Sequence, residues 1–362
     1  MQISRLRAYN LRKIRLLDIT PTAGINLIWG SNGSGKTTLL EAIHTLHSGK
    51  SFRSGRFLDL VTHGEHQLGV RGDVKFQNLE NDSALTFRVQ KANLSTSIKI
   101  NDLPITSAAV LAKAFPLLVV EPSSFGILEG GPRVRRSLLD RATFHVEQNF
   151  LENSRRYVQA LSQRNRLLKT NAKTSQLAFW GEELARFGEE IHLARSRCVK
   201  ALNLVFFSGT EIDSVLGQIQ LNYKQGWKDG LTLNEALRLN LSQEIRSGMT
   251  LSGPHKAEIE ILVGGGGVAR TASRGQIKTV VISIIAGLVH YMFQAIGFRP
   301  IILVDDFAAE LDDFMCSLTL KMMRETKAQI FLTSINNQFI KDSLFETEGM
   351  FHVEQGVVNA RH

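Results

Sequence analysis

The sequence predicts an α/β protein: a parallel sheet organised around a phosphate-binding loop, some antiparallel strands beside it, and a helical block inserted partway through. Three observations predict this. Gly30-Ser31-Asn32-Gly33-Ser34-Gly35-Lys36-Thr37 satisfies G-x-x-x-x-G-K-[ST] and sits between an apolar strand, 25–29, and a helix with an apolar face, 38–43. A second apolar strand, Ile301-Ile302-Leu303-Val304, ends on Asp305-Asp306. Between these two, 133–168 and 180–206 carry apolar residues at helical spacing.

Composition bounds the rest. A chain of 362 residues, 43% hydrophobic and 21% charged, is an ordinary soluble protein long enough for two domains or one with a large insertion. Lys and Arg outnumber Asp and Glu by 43 to 34, a charge of +9 that favours a polyanionic partner without proving one. Cys198 and Cys316 offer no metal spacing and no disulfide framework, which fits a reducing cytosol. The basic start, 1–13, lacks the apolar core of a signal peptide, so a cytoplasmic protein is expected. The apolar stretch 279–298 is nearly long enough to span a membrane. His290 and Gln294 interrupt it and a buried strand follows at once, so it reads as a core helix.

Residues 2–9 read as the first strand, surrounded by Arg5, Arg7, Arg12, Lys13 and Arg15. After the phosphate loop and its helix, 67–76, 84–90 and 96–101 read as short strands, the antiparallel material. Leu117-Leu118-Val119-Val120 is a buried strand stopped by Pro122. From Gly130-Gly131-Pro132 the chain turns helical, with a stripe of Leu151, Val158, Leu161 and Leu168, then a second of Leu184, Phe187, Ile191 and Ala194. No sustained heptad accompanies them, which excludes a long coiled coil. Strand character returns at 258–263, followed by a glycine loop, 264–267, able to close a hairpin. Strands at 301–304 and 329–334 and a terminal hairpin around 351–356 complete the chain. The expected domains are therefore a split head, 1–128 and 248–362, and an inserted, mainly helical lobe, 129–247.

The glycines of the loop let backbone N–H groups converge on an anion at the N-terminus of a helix. Gly30, Ser31, Asn32, Gly33, Ser34, Gly35, Lys36, Thr37 and Thr38 are the expected nucleotide contacts, Lys36 reaching the β- and γ-phosphates. Thr37 and Asp305 are the expected Mg²⁺ ligands, and Asp306 would address the water that attacks the γ-phosphate. Ser273-Arg274-Gly275-Gln276 opens the apolar helix, as an anion-binding helix start or as a plain N-cap.

A phosphate loop, a Ser-x-Gly-Gln helix start, an acidic pair and then Ala309-Glu310-Leu311-Asp312 is similar to the order in ABC-type ATPases. In that class two heads sandwich two nucleotides, and each signature serine acts on the triphosphate held by the other head. The whole chain more closely resembles the RecF family of bacterial DNA repair proteins. That resemblance rests on Asn10-Leu11-Arg12-Lys13, the phosphate loop, Lys50-Ser51-Phe52-Arg53, Gly130-Gly131-Pro132 with Arg135-Arg136 and Leu139-Asp140, Gln163-Arg164-Asn165, Gly253-Pro254-His255-Lys256 and Ser273-Arg274-Gly275-Gln276. It implies an ABC-like head with a helical lobe and an ATP-dependent homodimer, with Arg12 among the nucleotide contacts and Ser273 acting in trans. It also implies loading at ssDNA/dsDNA junctions or gapped duplex, with RecO and RecR, in gap repair, replication restart and the SOS response. Ala272, Ala309 and Pro122-Ser123-Ser124 depart from the family pattern. Asp306 is one methylene shorter than the glutamate of fast ABC ATPases, and misplacing a catalytic group by ~1 Å costs ~10²-fold, so slow turnover is expected.

The basic helices supply the expected DNA contacts: Arg133, Arg135, Arg136, Arg141, Arg155, Arg156, Arg164, Arg166 and Lys169, able to follow a phosphate backbone or simply to form a solvated face. Two other functions compete. One is an ABC transporter subunit, for which the block between loop and signature is too long; the other is a scaffold with a structural nucleotide.

Overall fold

The structure is a computed structural model and describes residues 1–54, 56–77, 82–92, 95–170, 173–206, 211–267, 272–335 and 348–361. In chain order the elements begin with β1 (Gln2–Leu11), β2 (Ile14–Ile19), β3 (Ile25–Trp29), α1 (Lys36–Ser48), β4 (Gln67–Gln77), β5 (Asp82–Ala92), β6 (Ser95–Ile100), β7 (Leu103–Pro104), α2 (Ala108–Ala114) and β8 (Leu117–Val120). The helical section holds α3 (Gly126–Glu129), α4 (Pro132–Val146), α5 (Phe150–Leu168), α6 (Thr174–Phe206), α7 (Glu211–Leu216), β9 (Ile219–Lys224), α8 (Leu233–Leu239), α9 (Leu241–Ser247), β10 (Glu258–Val263) and β11 (Gly266–Gly267). The chain closes with α10 (Arg274–Ile296), β12 (Ile301–Val304), α11 (Asp313–Glu325), β13 (Ile330–Ser334), β14 (Gly349–Glu354) and β15 (Val357–Arg361).

Two compact units result, Met1–Phe125 with Ser273–His362, and Gly126–Ala272. The second unit therefore runs past residue 248, where the head was expected to resume. The reason is strand pairing: β10 forms its ladder with β9 and β11, in a three-stranded sheet of its own. β9 was not foreseen, although Ile219 and Leu221 alternate with exposed Gln220 as a half-buried strand should.

The first unit holds two six-stranded sheets. One runs β15-β14-β3-β13-β12-β8, parallel throughout except for β15. Its central strands are buried almost throughout and largely apolar, Asn26 and Thr333-Ser334 excepted, as strands covered on both faces must be. The other, β2-β1-β4-β5-β6-β7, is antiparallel. Its inner face (Leu6, Ala8, Leu68, Val70, Val74, Phe87, Val89) shares one core with Leu39, Leu40, Ile43 and Leu46 of α1. Helix α10 is the one described helix long and apolar enough to cross a membrane, and 67% of its apolar window is buried inside the protein, as expected of a core helix.

In the second unit α5 and α6 pack around Phe150, Tyr157, Ala160, Leu184, Phe187 and Ile191, with Leu233 and Leu237 of α8. The α6 stripe lies inward as expected. The α5 stripe does so only in part: Leu168 is buried and Leu161 packs against the core, whereas Val158 is 63% exposed and Phe150, Tyr157, Ala160 and Arg164 also face inward. The larger rings take the core, and Arg164 follows them because a carboxylate waits there. Its guanidinium donates to Glu244 Oε2 at 2.6 Å and to Thr250 Oγ1 at 2.8 Å, with both charged side chains almost fully buried.

Candidate functional site

The site forms where β3, β12 and β13 end side by side, the carboxyl edge at which open α/β sheets bind ligands. The chain leaves β3 through Gly30, whose φ is 154°; a Cβ there would stand 2.2 Å from the Val353 carbonyl oxygen. The loop folds around its own lysine. Lys36 Nζ donates to the carbonyls of Gly30 and Ser31 at 2.8 and 2.9 Å. Burial lowers the Lys36 pKa, and the nearby carboxylates of Asp306 and Asp305 oppose that shift. Ser34 Oγ is buried with no hydrogen-bond partner among the described residues. A cradle that excludes side chains, an unpaired buried hydroxyl and a cation at the start of α1 fit a bound triphosphate.

Thr37 and Asp305 meet directly: Thr37 Oγ1 donates to Asp305 Oδ1 at 2.9 Å. A hydroxyl beside a carboxylate is a hard-oxygen donor pair, and Mg²⁺ needs only one or two such protein ligands when phosphate oxygens and water complete its shell. No group of three or more His, Cys, Asp or Glu side chains able to hold a metal ion occurs among the described residues.

Two residues that sequence reasoning missed hold the acidic pair. Thr333 at the end of β13 donates from Oγ1 to Asp305 Oδ1 at 2.7 Å and accepts from the Asp306 amide at 2.7 Å. Asp306 itself has φ of 58°, a left-handed conformation uncommon for a non-glycine residue. Its carbonyl accepts from Lys278 Nζ at 2.6 Å, and the Ala309 carbonyl does so at 2.8 Å. Lys278 is buried in α10, and burial lowers its pKa against the pull of Glu310 and Asp306. A lone lysine in an otherwise apolar helix was the available signal, since a buried ammonium needs acceptors. Thr333 carried no signal, because threonine in a buried strand is unremarkable by sequence.

The signature segment lies at the start of α10. Ser273 caps the helix: its Oγ accepts from the Gln276 amide at 3.3 Å, and Gln276 Oε1 accepts from the Ser273 amide at 2.9 Å. Ser273, Arg274 and Gln276 are exposed, whereas Gly275 is buried against 308–311. A Cβ on Gly275 would lie 2.5 Å from the Glu310 carbonyl oxygen. Arg12, expected at the nucleotide, is engaged with Glu41, which is fully buried on α1; the closest N–O distance is 2.6 Å. Ser51 also donates to Glu41, so the segments around Arg12, the loop helix and Ser51 converge on one carboxylate.

The expected DNA contacts divide. Arg133, Arg141, Arg155, Arg156, Arg166 and Lys169 are exposed, although Arg156 pairs with Glu152 and Arg166 donates to Gln163. Three others are corrected. Arg164 is buried on Glu244; Arg135 pairs in a fork with Glu258 and reaches the Gly130 carbonyl; Arg136 donates to the Ala257 carbonyl. These three guanidinium groups tie the second unit together through its own acceptors.

The RecF/RecN/SMC N terminal domain model matches residues 2–359. The chain is 34% identical over 359 residues to the DNA replication and repair protein RecF of Shewanella denitrificans, covering 99% of each. It is likewise 34% identical over 360 residues to RecF of Vibrio parahaemolyticus, covering 99% of this chain and 100% of that one. Among solved structures, the recombination mediator protein RecF with ATP superposes with a TM-score of 0.81 at 25% identity, covering 99% of this chain and 97% of that one. An Smc head bound to the C-winged helix domain of ScpA superposes at 0.57 with 14% identity, covering 100% and 97%, and shares the fold.

Proposed function

The chain belongs to the RecF/RecN/SMC N-terminal domain family, its full-length relatives are RecF proteins, and from that premise we propose an ATP-binding, slowly hydrolysing DNA-binding protein of replication and repair. It dimerises on ATP and loads at ssDNA/dsDNA junctions and gapped duplex, acting in the cytoplasm with RecO and RecR in gap repair, replication restart and the SOS response. One observation carries the nucleotide part: Thr37 of the loop helix and Thr333 of β13 both donate to Asp305, joining three strand ends into one centre.

Lys36 binds the triphosphate by exchanging loop carbonyls for phosphate oxygens, helped by the amides of 30–38 and by Arg12 through α1. Thr37 and Asp305 would hold Mg²⁺, which would supply neutralisation of phosphate charge. Asp306 accepts the proton of the attacking water, and Thr333 with Lys278 fixes the backbone from which its carboxylate projects. Ser273, Arg274, Gly275 and Gln276 of a second copy present hydroxyl and amide donors to the γ-phosphate. Because aspartate is short for this task, turnover is slow and acts as a timer that holds the ATP-bound dimer on DNA.

Replacing Lys36 with Ala tests the reading. It removes a charge-assisted contact worth ~1.5–3 kcal/mol, so ATP affinity should fall by ~10- to 100-fold with ATP-driven dimerisation and DNA loading lost together. Survival of both would make nucleotide a structural ligand. Steady-state hydrolysis at ~10 s⁻¹ or more, with or without DNA, would contradict the timer.

A further inference from the structure

The outer face of the antiparallel sheet carries a cavity of about 300 Å³ distinct from the nucleotide site. Strand alternation and register put its walls in two adjacent rows. Arg7, Arg71 and Arg88 stand side by side on β1, β4 and β5, through the pairs Arg7↔Arg71 and Arg71↔Arg88. The next row runs Leu16, Tyr9, Gly69 and Gln90, through Tyr9↔Leu16, Tyr9↔Gly69 and Gly69↔Gln90.

Gly69 leaves the central strand bare, and the Tyr9 ring occupies that space: a Cβ on Gly69 would lie 2.3 Å from Tyr9 Cε1. Gln90 Nε2 donates to the Tyr9 hydroxyl at 3.3 Å. The ring is therefore held against the sheet, half-buried, beside Leu16, which is 76% exposed. Charge on this face is unbalanced. Arg7 and Arg71 share one carboxylate, Asp73, at 2.6 and 3.4 Å; Arg88 meets Asp102 at 3.2 Å, and Arg5 pairs with Asp18. Lys75 and Lys99 project on the same side without adding an acid.

We propose that this slot takes an unstacked base of single-stranded DNA, with the flanking phosphates on Arg7, Arg71 and Arg88. Resting on the DNA-binding reading above, it gives that reading a surface on the head unit. A fixed aromatic ring beside guanidinium planes offers stacking to any base, and the arginine row, spanning about 10 Å across three strands, offers charge to the backbone. Both rows are satisfied by one polymer of alternating flat apolar and anionic groups. A duplex keeps its bases stacked and would meet only the arginines.

The test uses the full chain, with Tyr9→Leu, Tyr9→Phe and the pair Arg71→Ala/Arg88→Ala, against a labelled oligo-dT, a duplex and a gapped duplex over a salt series. Tyr9→Leu should weaken oligo-dT binding by about 5- to 100-fold and leave duplex and ATP binding unchanged, while Tyr9→Phe retains it. The arginine pair should weaken oligo-dT and flatten its salt dependence. A photoreactive thymine analogue should crosslink to Tyr9 in the unaltered protein. Full oligo-dT affinity in every variant, with duplex binding intact and no crosslink, overturns the slot and leaves the DNA-binding reading standing. Absence of binding to any DNA by the unaltered protein overturns both. A synthetic acidic peptide with an aromatic anchor that binds the slot where oligo-dT does not overturns it in favour of a protein partner.

Discussion

Thr333 does for Asp305 and Asp306 what a sequence motif could not announce. Its hydroxyl both donates to the Asp305 carboxylate and accepts from the Asp306 amide, so Thr333→Val leaves an amide unpaired and a carboxylate with one donor fewer. Losing such a buried pairing costs ~1–3 kcal/mol. We expect hydrolysis to fall by ~10-fold or more with a smaller change in ATP affinity, read by paired turnover and nucleotide titration; equal losses in both would assign Thr333 to binding alone. Arg164→Ala exposes Glu244 as a buried, unpaired carboxylate, a loss of ~3–5 kcal/mol that should appear in thermal melting. His255 adds a pH term. It accepts the Tyr157 hydroxyl at Nδ1 (2.5 Å) and its Nε2 faces the Thr250 carbonyl at 3.2 Å, an arrangement that suits the neutral ring. Burial lowers its pKa to about 4, against the Thr250 hydrogen bond, and Lys256, Arg136 and Arg164 push the same way as burial. The unfolded ring titrates near 6.5, so below that value the unfolded state binds more protons. The neutral ring's contribution is complete above pH ~6.5 and is lost as pH falls toward 4, up to ~3 kcal/mol. His255→Asn should flatten the denaturation midpoint across that window; an unchanged slope would assign the acid sensitivity elsewhere.

Among the elements, the start of α10 binds signature, acidic pair and core helix into one piece. The Ser273 capping box sets the helix start, Gly275 admits the Glu310 carbonyl, and one turn later Lys278 grips the carbonyls of Asp306 and Ala309. Gly275→Ala would force the 308–311 segment away from the helix, because the atom it meets is backbone. The expected result is loss of ATP-driven association and turnover, with nucleotide affinity of the Lys36 loop retained; normal turnover would show that this contact tolerates displacement. What the sequence disclosed follows the same division. The loop, β12 with its acidic pair and α10 were legible because each is a contiguous pattern whose chemistry is local. Thr333 and Lys278 act through partners 27 to 31 residues away, across the sheet and the helix, and periodicity carries no such information. Arg164 departs from its expected role for a related reason: helical spacing places it on a face, but only Glu244, 80 residues on, turns that face inward. β9 was overlooked, so β10 was given to the wrong unit.

At the scale of the whole molecule, the exposed Ser273 decides whether one chain is a complete machine. The loop, Asp305 and Asp306 gather on one edge of the parallel sheet, and under the proposed function the donors of 273–276 serve a triphosphate held by a second copy. Mass in solution should therefore double from 40.3 kDa on saturating, non-hydrolysed ATP, most completely with a gapped duplex present. Ser273→Ala is the sharper version. Removing the N-cap hydroxyl costs ~1 kcal/mol of helix stability, which melting would register as a small shift. Loss of the proposed in-trans contact is separate, and it should hold the variant at the mass of one chain while Lys36 still binds ATP. Ser273→Thr keeps both a capping oxygen and a donor to the γ-phosphate and should restore the dimer, a rescue that a purely structural cap would not need. A monomeric parent chain under these conditions would remove the shared-nucleotide dimer. An Ala variant that dimerised fully would keep the dimer and remove Ser273 from its interface.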